Sequence, residues 1–270
     1  MIVERIAPGT CRTKDHRTEE ERAHHVGVVI GQGVSAWVAQ DVRNGKVTAL
    51  HWAPDADALR SVDLPKHPRS VTYVSLPEWS TLVPEGALGH GTSEDHLALV
   101  HGRLPGTDVR EEPLHTIGAQ CLYLAEPTNE HSILDRYPFA RSLPLQAVLV
   151  NGARSRVRNS PVLLLHRGAD RMDVAIADRN GLLLSSSYPA RTAEDVLYFC
   201  LMATERTGLR PEHVALRTGG THLRKAEREL LSTYFADHAS AIPNTVLGPL
   251  PGDLEADQWL AAFDQIACVS

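Results

Sequence analysis

Gly31-Gln32-Gly33-Val34-Ser35-Ala36 is a G-x-G-x-x-A run, the spacing that lets a backbone turn tightly beneath a pyrophosphate, and Asp55 stands where an acid would meet a ribose. That chemistry needs a helix directly after the glycines. Here residues 37–42 lead straight into the turn Arg43-Asn44-Gly45, which leaves no room for a crossover helix, so a nicotinamide or flavin enzyme is not expected. Fourteen histidines invite a metal reading, among them His24-His25, His90, His96, His101 and His115, but none is set in an H-E-x-x-H or His-x-His pattern. No G-x-S-x-G elbow presents a nucleophile, and Ser185-Ser186-Ser187 falls at the end of an expected strand. Two-metal nuclease chemistry would start from carboxylates on a first strand, and residues 26–30 carry none. Glu194 and Asp195 read as acids of a helix's first turn, where they suit the dipole.

The elements that would position such residues come in two similar sets. Residues 26–30, 34–42 and 46–52 alternate as three antiparallel strands, with Arg43-Asn44-Gly45 between the last two. Residues 162–165, 171–177 and 182–188 repeat the design around Arg179-Asn180-Gly181, 136 positions later. At that offset Val26 meets Val162, Val38 meets Val174, Ala39 meets Ala175 and Trp52 meets Tyr188 without a gap, so an internal duplication is expected. Further strands and helices follow each set. In the first half they are strands at 71–76 and 121–125, with helices around 93–100 and from Asn129. In the second they are a helix opened by Thr192 and ending near Gly208, a buried strand at 213–216, an amphipathic helix at 221–235 capped by Thr221, and an extended segment at 241–247. The reading is a mixed α/β protein of two duplicated lobes facing a cleft, with a boundary in the basic stretch 154–159. Residues 1–23 form a polar, mobile arm, 24–157 the first lobe and 158–270 the second.

Composition is consistent with a folded chain: 270 residues, 43% hydrophobic, with a formal charge of −6. Acidity and the lack of a Lys/Arg stripe argue against nucleic acid as a partner. Cys11, Cys121, Cys200 and Cys268 form no C-x-x-C pair, and they suit a reducing compartment. The first 25 residues are charged throughout and no apolar run approaches a membrane span, so a cytoplasmic protein is expected.

The duplicated pattern resembles the actin-like ATPase superfamily, whose lobes have a ribonuclease H-like core. More narrowly, Thr81-Leu82-Val83-Pro84, the run Thr192-Ala193-Glu194-Asp195-Val196-Leu197-Tyr198 and Cys268 resemble an uncharacterised bacterial family within it, a domain of unknown function. The resemblance implies two Asp-x-Gly phosphate turns, each after a lobe's first strand, with the carboxylates near magnesium. The corresponding stretches are Val29-Ile30-Gly31-Gln32-Gly33 and His166-Arg167-Gly168-Ala169-Asp170, with Val29 and His166 where the acids would stand. It also implies a Gly-Gly beside adenosine, matched by Thr218-Gly219-Gly220; a plain strand-to-helix turn needs the same glycines.

Gly31, Gly33, Gly168, Asp170, Thr218, Gly219 and Gly220 are therefore the candidate residual nucleotide site, with no catalytic and no metal-ligating residue assigned. The expectation is a non-catalytic binding or scaffold protein, a pseudo-ATPase that recruits an unidentified protein partner, with a homo-oligomer left open. The alternative is an ATP-binding enzyme, a weak Mg-dependent ATPase or small-molecule kinase working in the inter-lobe cleft. There Asp170, Asp173 or Glu194 would take over the metal, and ATP with Mg²⁺ is the only cofactor in view.

Overall fold

Both Arg-Asn-Gly segments close hairpins, and in both the glycine alone turns into positive φ, Gly45 at 69° and Gly181 at 141°. The asparagines stay at negative φ; Asn180 N–H instead donates to Asp178 Oδ1 at 2.7 Å, and Lys46 N–H to Asn44 Oδ1 at 2.8 Å. A computed structural model describes residues 7–31, 33–106, 108–125, 127–248, 250 and 254–268. Gln32 of the first glycine turn and residues 1–6 of the expected arm lie outside the described residues.

In chain order, β1 (Gly9–Arg12), β2 (His24–Gly31), β3 (Val34–Asp41), β4 (Val47–Pro54) and β5 (Ser70–Leu76) begin the first sheet. A small sheet follows, made of β6 (Ser80–Pro84), β7 (Val109–Leu114) and β8 (Ala119–Leu124), with α1 (Ser93–His101) after its first strand. Next come α2 (Pro127–Arg136), β9 (Arg141–Ser142) and α3 (Leu145–Arg156). The last large sheet takes β10 (Val162–Arg167), β11 (Arg171–Asp178), β12 (Gly181–Pro189), β13 (Ala215–Gly219) and β14 (Asp237–Ser240), with α4 (Ala193–Arg206) and α5 (Lys225–Tyr234) between them. α6 (Leu260–Phe263) follows.

The two large sheets share one topology. The orders β4-β3-β2-β5-β9 and β12-β11-β10-β13-β14 both place the first strand centrally, with two antiparallel neighbours on one side and two parallel strands on the other. The ungapped duplication needs one correction. Val38 faces Leu50 and Val174 faces Ser186, so the 136-residue offset holds across the second hairpin. Val26 faces Ala39, however, whereas Val162 faces Ala177 rather than Ala175, a slip of two across the first hairpin. The slip is one residue on each strand: Val26, Val28 and Ile30 face the α2 side of their sheet, whereas Leu163 and Leu165 face the α5 side of theirs, so Val26 and Val162, matched at 136, lie on opposite faces.

The chain forms two compact units, and they are interleaved. One comprises residues 1–77, 126–143 and 242–270; the other comprises 78–125 and 144–241. This division differs from the expected spans 24–157 and 158–270, because α3 belongs with the second large sheet and the last segment with the first. In the first unit, Val26, Val28, Ile30, Trp37 and Tyr73 pack with Ile133 and Tyr137. In the second, Leu163, Leu165, Val174, Ile176 and Leu216 pack under Val196, Cys200 and Ala203 of α4 and Leu231 of α5.

Several expectations shift in detail. Residues 9–12 of the supposed mobile arm are a strand, β1, paired with β4. α5 starts at Lys225, not at Thr221, and its first turn is capped by Glu227 Oε2, which accepts from Arg224 N–H at 2.8 Å. The extended segment of the second half is 237–240, with a 3₁₀ turn at 244–246 where strand was expected. α4 follows its forecast closely: Thr192 accepts from Asp195 N–H at 3.1 Å and Asp195 accepts in return from Thr192 N–H at 3.0 Å, a complete capping box.

Candidate functional site

The strand ends that carry the candidate glycines are built by close backbone approach. In the second unit, β10 and β13 run parallel with His166 opposite Gly219, and the next residues along are Arg167 and Gly220. Gly220 has φ +113°, and a Cβ there would fall inside van der Waals contact of Arg167 N and O. Its lack of a side chain is therefore required by packing. His222 N–H donates to Arg167 O at 3.2 Å, which ties the Gly-Gly turn back to the β10 end.

The β10–β11 turn that follows is filled by its own arginine. Arg167 is 1% exposed; its Nη1 donates to Gly168 O at 2.5 Å, Ala169 O at 3.1 Å and Arg171 O at 3.1 Å, and its Nε to Glu227 Oε1 at 3.1 Å. Gly168 N–H also turns inward, to Arg171 O at 3.0 Å. An anion cradle works by aiming free N–H groups outward. Here carbonyls converge on a buried cation, and the cation is neutralised by Glu227 (2% exposed). Asp170 is exposed on the turn, and Ala190 N–H donates to its carbonyl at 2.9 Å. Thr218 is buried with its hydroxyl 3.0 Å from His238 Nε2. The structure thus gathers Gly168, Asp170, Thr218, Gly219 and Gly220 in one unit.

Gly31 and Gly33 belong to the other unit. Gly31 (φ +123°) pairs with Leu76, whose carbonyl oxygen would collide with a Cβ, so this glycine too is fixed by backbone packing. Gly33 (φ +78°) faces open space, and its carbonyl accepts from Asp55 N–H at 3.0 Å.

A buried polar network that sequence reasoning missed adjoins the turn in the second unit. His166, Asp173 and Ser187 are register partners on three adjacent strands and so share one sheet face. Arg171 pairs with Asp173 through Nη2 and through Nε at 3.2 Å, and reaches Ser187 Oγ at 2.8 Å; Ser187 Oγ donates to Asp173 at 2.5 Å. Asp173, a candidate replacement metal ligand, is thereby committed to an arginine. His166 is buried, its Nδ1 has no partner, and burial drives its pKa down to about 4, helped by Arg171 and His222 and opposed by Asp173.

Arg171 Nη1 also donates to Glu78 O, and the Glu78 carboxylate accepts from Leu145 N–H and, at 3.3 Å, Gln146 N–H. Glu78 thus caps α3, whose own N-cap is Pro144 and offers no side-chain acceptor. Burial pushes the Glu78 carboxyl up to about 7 against the lowering pull of Ser80, Leu145 N–H, Arg171 and Gln146 N–H. The exposed Glu194 and its neighbour Asp195 sit in the first turn of α4, and Asp195 is held below the usual carboxylate range by Arg191 N–H and Thr192 N–H. Among the described residues, no three His, Cys, Asp or Glu side chains converge as a metal would require.

A family model described as a protein of unknown function, DUF3822, matches residues 70–237, well over half of the chain. The chain belongs to the DUF3822 family. A search of the curated proteins gives no match. Among solved structures, the chain is similar to a Bacteroides thetaiotaomicron protein with an actin-like ATPase fold and unknown function. The identity is 16% and the TM-score 0.66, over 81% of this chain and 90% of that one. At that likeness the fold is common to both: this DUF3822 member has the actin-like ATPase fold. Weaker likeness links it to the PilM–PilN type IV pilus biogenesis complex (15% identity, TM-score 0.47, 92% and 98% covered). It also links it to the cytoplasmic domain of EpsL, an inner-membrane component of the type II secretion system of Vibrio cholerae (14%, 0.46, 91% and 94%). Those two are too distant to carry an argument. Among the described residues no helix is long and apolar enough to cross a membrane.

Proposed function

We propose that this DUF3822 protein is a non-catalytic member of the actin-like ATPase fold that acts by binding another protein, its nucleotide site having degenerated. One observation carries the reading: the turn after β10 is occupied by the Arg167 guanidinium, which takes up the carbonyls of Gly168, Ala169 and Arg171 and is itself neutralised by Glu227. The guanidinium charge is thus spent inside the protein, on Glu227 and on the turn's own carbonyls, and is not presented to a phosphate arriving at this turn. The supporting observations agree. Val29 and His166 occupy the positions expected to carry carboxylates, Gly31 and Gly220 have packing reasons to be glycine, and Asp173 is engaged by Arg171. The protein partner and the cytoplasmic setting belong to the same proposal.

Thermal unfolding with and without millimolar MgATP tests it. A ligand held at 100 times its Kd stabilises the folded state by about 2.7 kcal/mol, a shift of several degrees. No shift is expected here. A saturable rise in Tm that Gly219→Val removes would instead support the ATP-binding enzyme.

A further inference from the structure

Residues 9–22, expected to be a mobile arm, lie across the first unit as a strap held by backbone pairing and by imidazoles. β1 pairs with Ala49–Trp52 of β4 at the outer edge of the sheet, and beyond it Thr13 N–H donates to Thr48 O at 2.8 Å, Lys66 N–H to Thr18 O at 2.9 Å and Arg22 N–H to His67 O at 2.7 Å. His16 of the strap stacks with the buried Trp37 ring at 6.1 Å between centroids, and its ring centroid is 5.2 Å from that of His24. Both His16 nitrogens are engaged, Nδ1 with Thr48 Oγ1 at 3.1 Å and Nε2 with Asp63 O at 2.7 Å. His51 stacks with Trp37 as well, at 5.8 Å, and its Nδ1 lies 2.5 Å from the hydroxyl of Thr10 in the strap. Beneath the strap, His24 is 1% exposed and its Nδ1 has no partner; nearby, Thr13 Oγ1 is also buried and unpartnered.

The charges around these rings come from several elements. His16, Glu20, Asp41 and Arg43 face His24; Asp63, which also pairs with Arg12 of the strap, faces His51; Glu19 pairs with Lys66 at 2.8 Å. His25 faces Arg69 and bonds Ser70 Oγ at 2.5 Å. Burial lowers His24, with His16 adding to the effect against the opposing pull of Asp41 and Glu20; burial also lowers His51 against Asp63. Asp41 is held at about 2 by Arg43, so it keeps its charge throughout the range in which imidazoles titrate.

The geometry points to residues 9–22 as a proton-released strap: acid charges the imidazoles packed under and against it, and it lifts from β4 and Trp37 while the rest of the unit stays folded. A charged His24 would bury a cation whose Nδ1 has no partner, packed 5.2 Å from the His16 ring of the strap. The sign follows from linkage. His24 and His51 titrate lower when strapped than when released, so the released form takes up protons first as pH falls below the ordinary imidazole value of about 6.5. Each histidine excluded from protonation favours release up to about tenfold per pH unit until the strapped form titrates too.

Hydrogen exchange on the full-length protein reads this directly, through the amides of Thr13 and Lys66, with those of β3 as internal reference. Between pH 7.5 and 5.5, after correction for intrinsic exchange, protection of the strap amides is expected to fall at least tenfold while that of β3 holds. In His24→Phe/His51→Phe, or His24→Asn/His51→Asn should the aromatic pair not fold, the fall shrinks to threefold or less. Strap amides that stay protected to the onset of global unfolding overturn the proposal. So does an equal loss of protection in the folded double variant.

Discussion

The parallel strand pair that ends β2 and β5 and the pair that ends β10 and β13 solve the same steric problem in opposite ways. In the first unit the glycine is Gly31, on the first strand, and it yields to the Leu76 carbonyl. In the second it is Gly220, just beyond the parallel strand, and it yields to the backbone of Arg167. The choice of partner decides what happens to the turn. With the glycine on the first strand, Gly33 beyond it faces open space. With the glycine on the other strand, the first strand is free to carry a long side chain at its last position, and Arg167 folds into the turn. A glycine at such an end thus reports a backbone contact first, and ligand chemistry only if the turn beside it stays open.

The largest effect is expected from the plug. Arg167→Ala leaves Glu227 buried without its cation and should cost about 3–5 kcal/mol in chemical denaturation. Arg167→Met with Glu227→Gln should recover most of that loss, because the glutamine oxygen still caps α5; equal losses in single and double variants would mean that packing, not charge, holds the turn. Gly31→Ala and Gly220→Ala should each cost about 2–5 kcal/mol, combining positive-φ strain with backbone overlap, whereas Gly33→Ala should cost only about 1–2 kcal/mol of strain. Similar losses at all three positions would erase the distinction between packed and open glycines.

Glu78 sharpens the contrast next, since β5 leaves its sheet through Leu76 and Pro77 into this residue. Its folded value of about 7 lies above the ordinary 4.5, so the folded state holds a proton that the unfolded state has released. Stability is therefore fullest below about 4.5 and declines as pH rises through 7, by up to about 3 kcal/mol. Glu78→Gln should flatten the stability–pH profile and gain about 1–3 kcal/mol on wild type at pH 8; parallel profiles would show the carboxyl to be ionised in the fold. The smallest change is Thr192→Ala, which removes a cap from α4 and should cost about 1 kcal/mol. Thr92→Ala in the matching box of α1 should cost a similar amount despite that helix's exposure.

Local signals were legible in the sequence wherever the chain supplies its own partners. Both hairpins, the strand–glycine–helix passage at 215–234 and the Thr192 box depend on residues within a few positions of one another. α3 was not legible, although Leu145, Val148, Leu149 and Val150 are all apolar. Its cap is Glu78, 67 positions away, and Asn151-Gly152 inside it reads as a turn. β1 escaped notice because a four-residue edge strand, half exposed, shows no apolar alternation. For the candidate site, the glycines were visible, as were Val29 and His166 where the resemblance implies acids, and so was Arg167 as a letter. Its direction was not, because that depends on Glu227 from a helix 60 positions on and on three carbonyls of a turn whose shape no local pattern encodes.

The interleaving of the units bears on how the chain is made. Trp52 of β4 stacks with Trp259, and Gln265 Nε2 reaches Val28 O at 2.7 Å, so the sheet formed by the earliest strands is finished only by residues near 260. Synthesis at about 5–20 residues per second places roughly 10 to 40 seconds between the emergence of β5 and that of Trp259. The unit whose strands come second has all its segments first. A nascent chain therefore carries a half-covered tryptophan sheet throughout that interval, and a chain that has emerged only as far as a point between residues 241 and 259 would display one finished unit and one still open to chaperones.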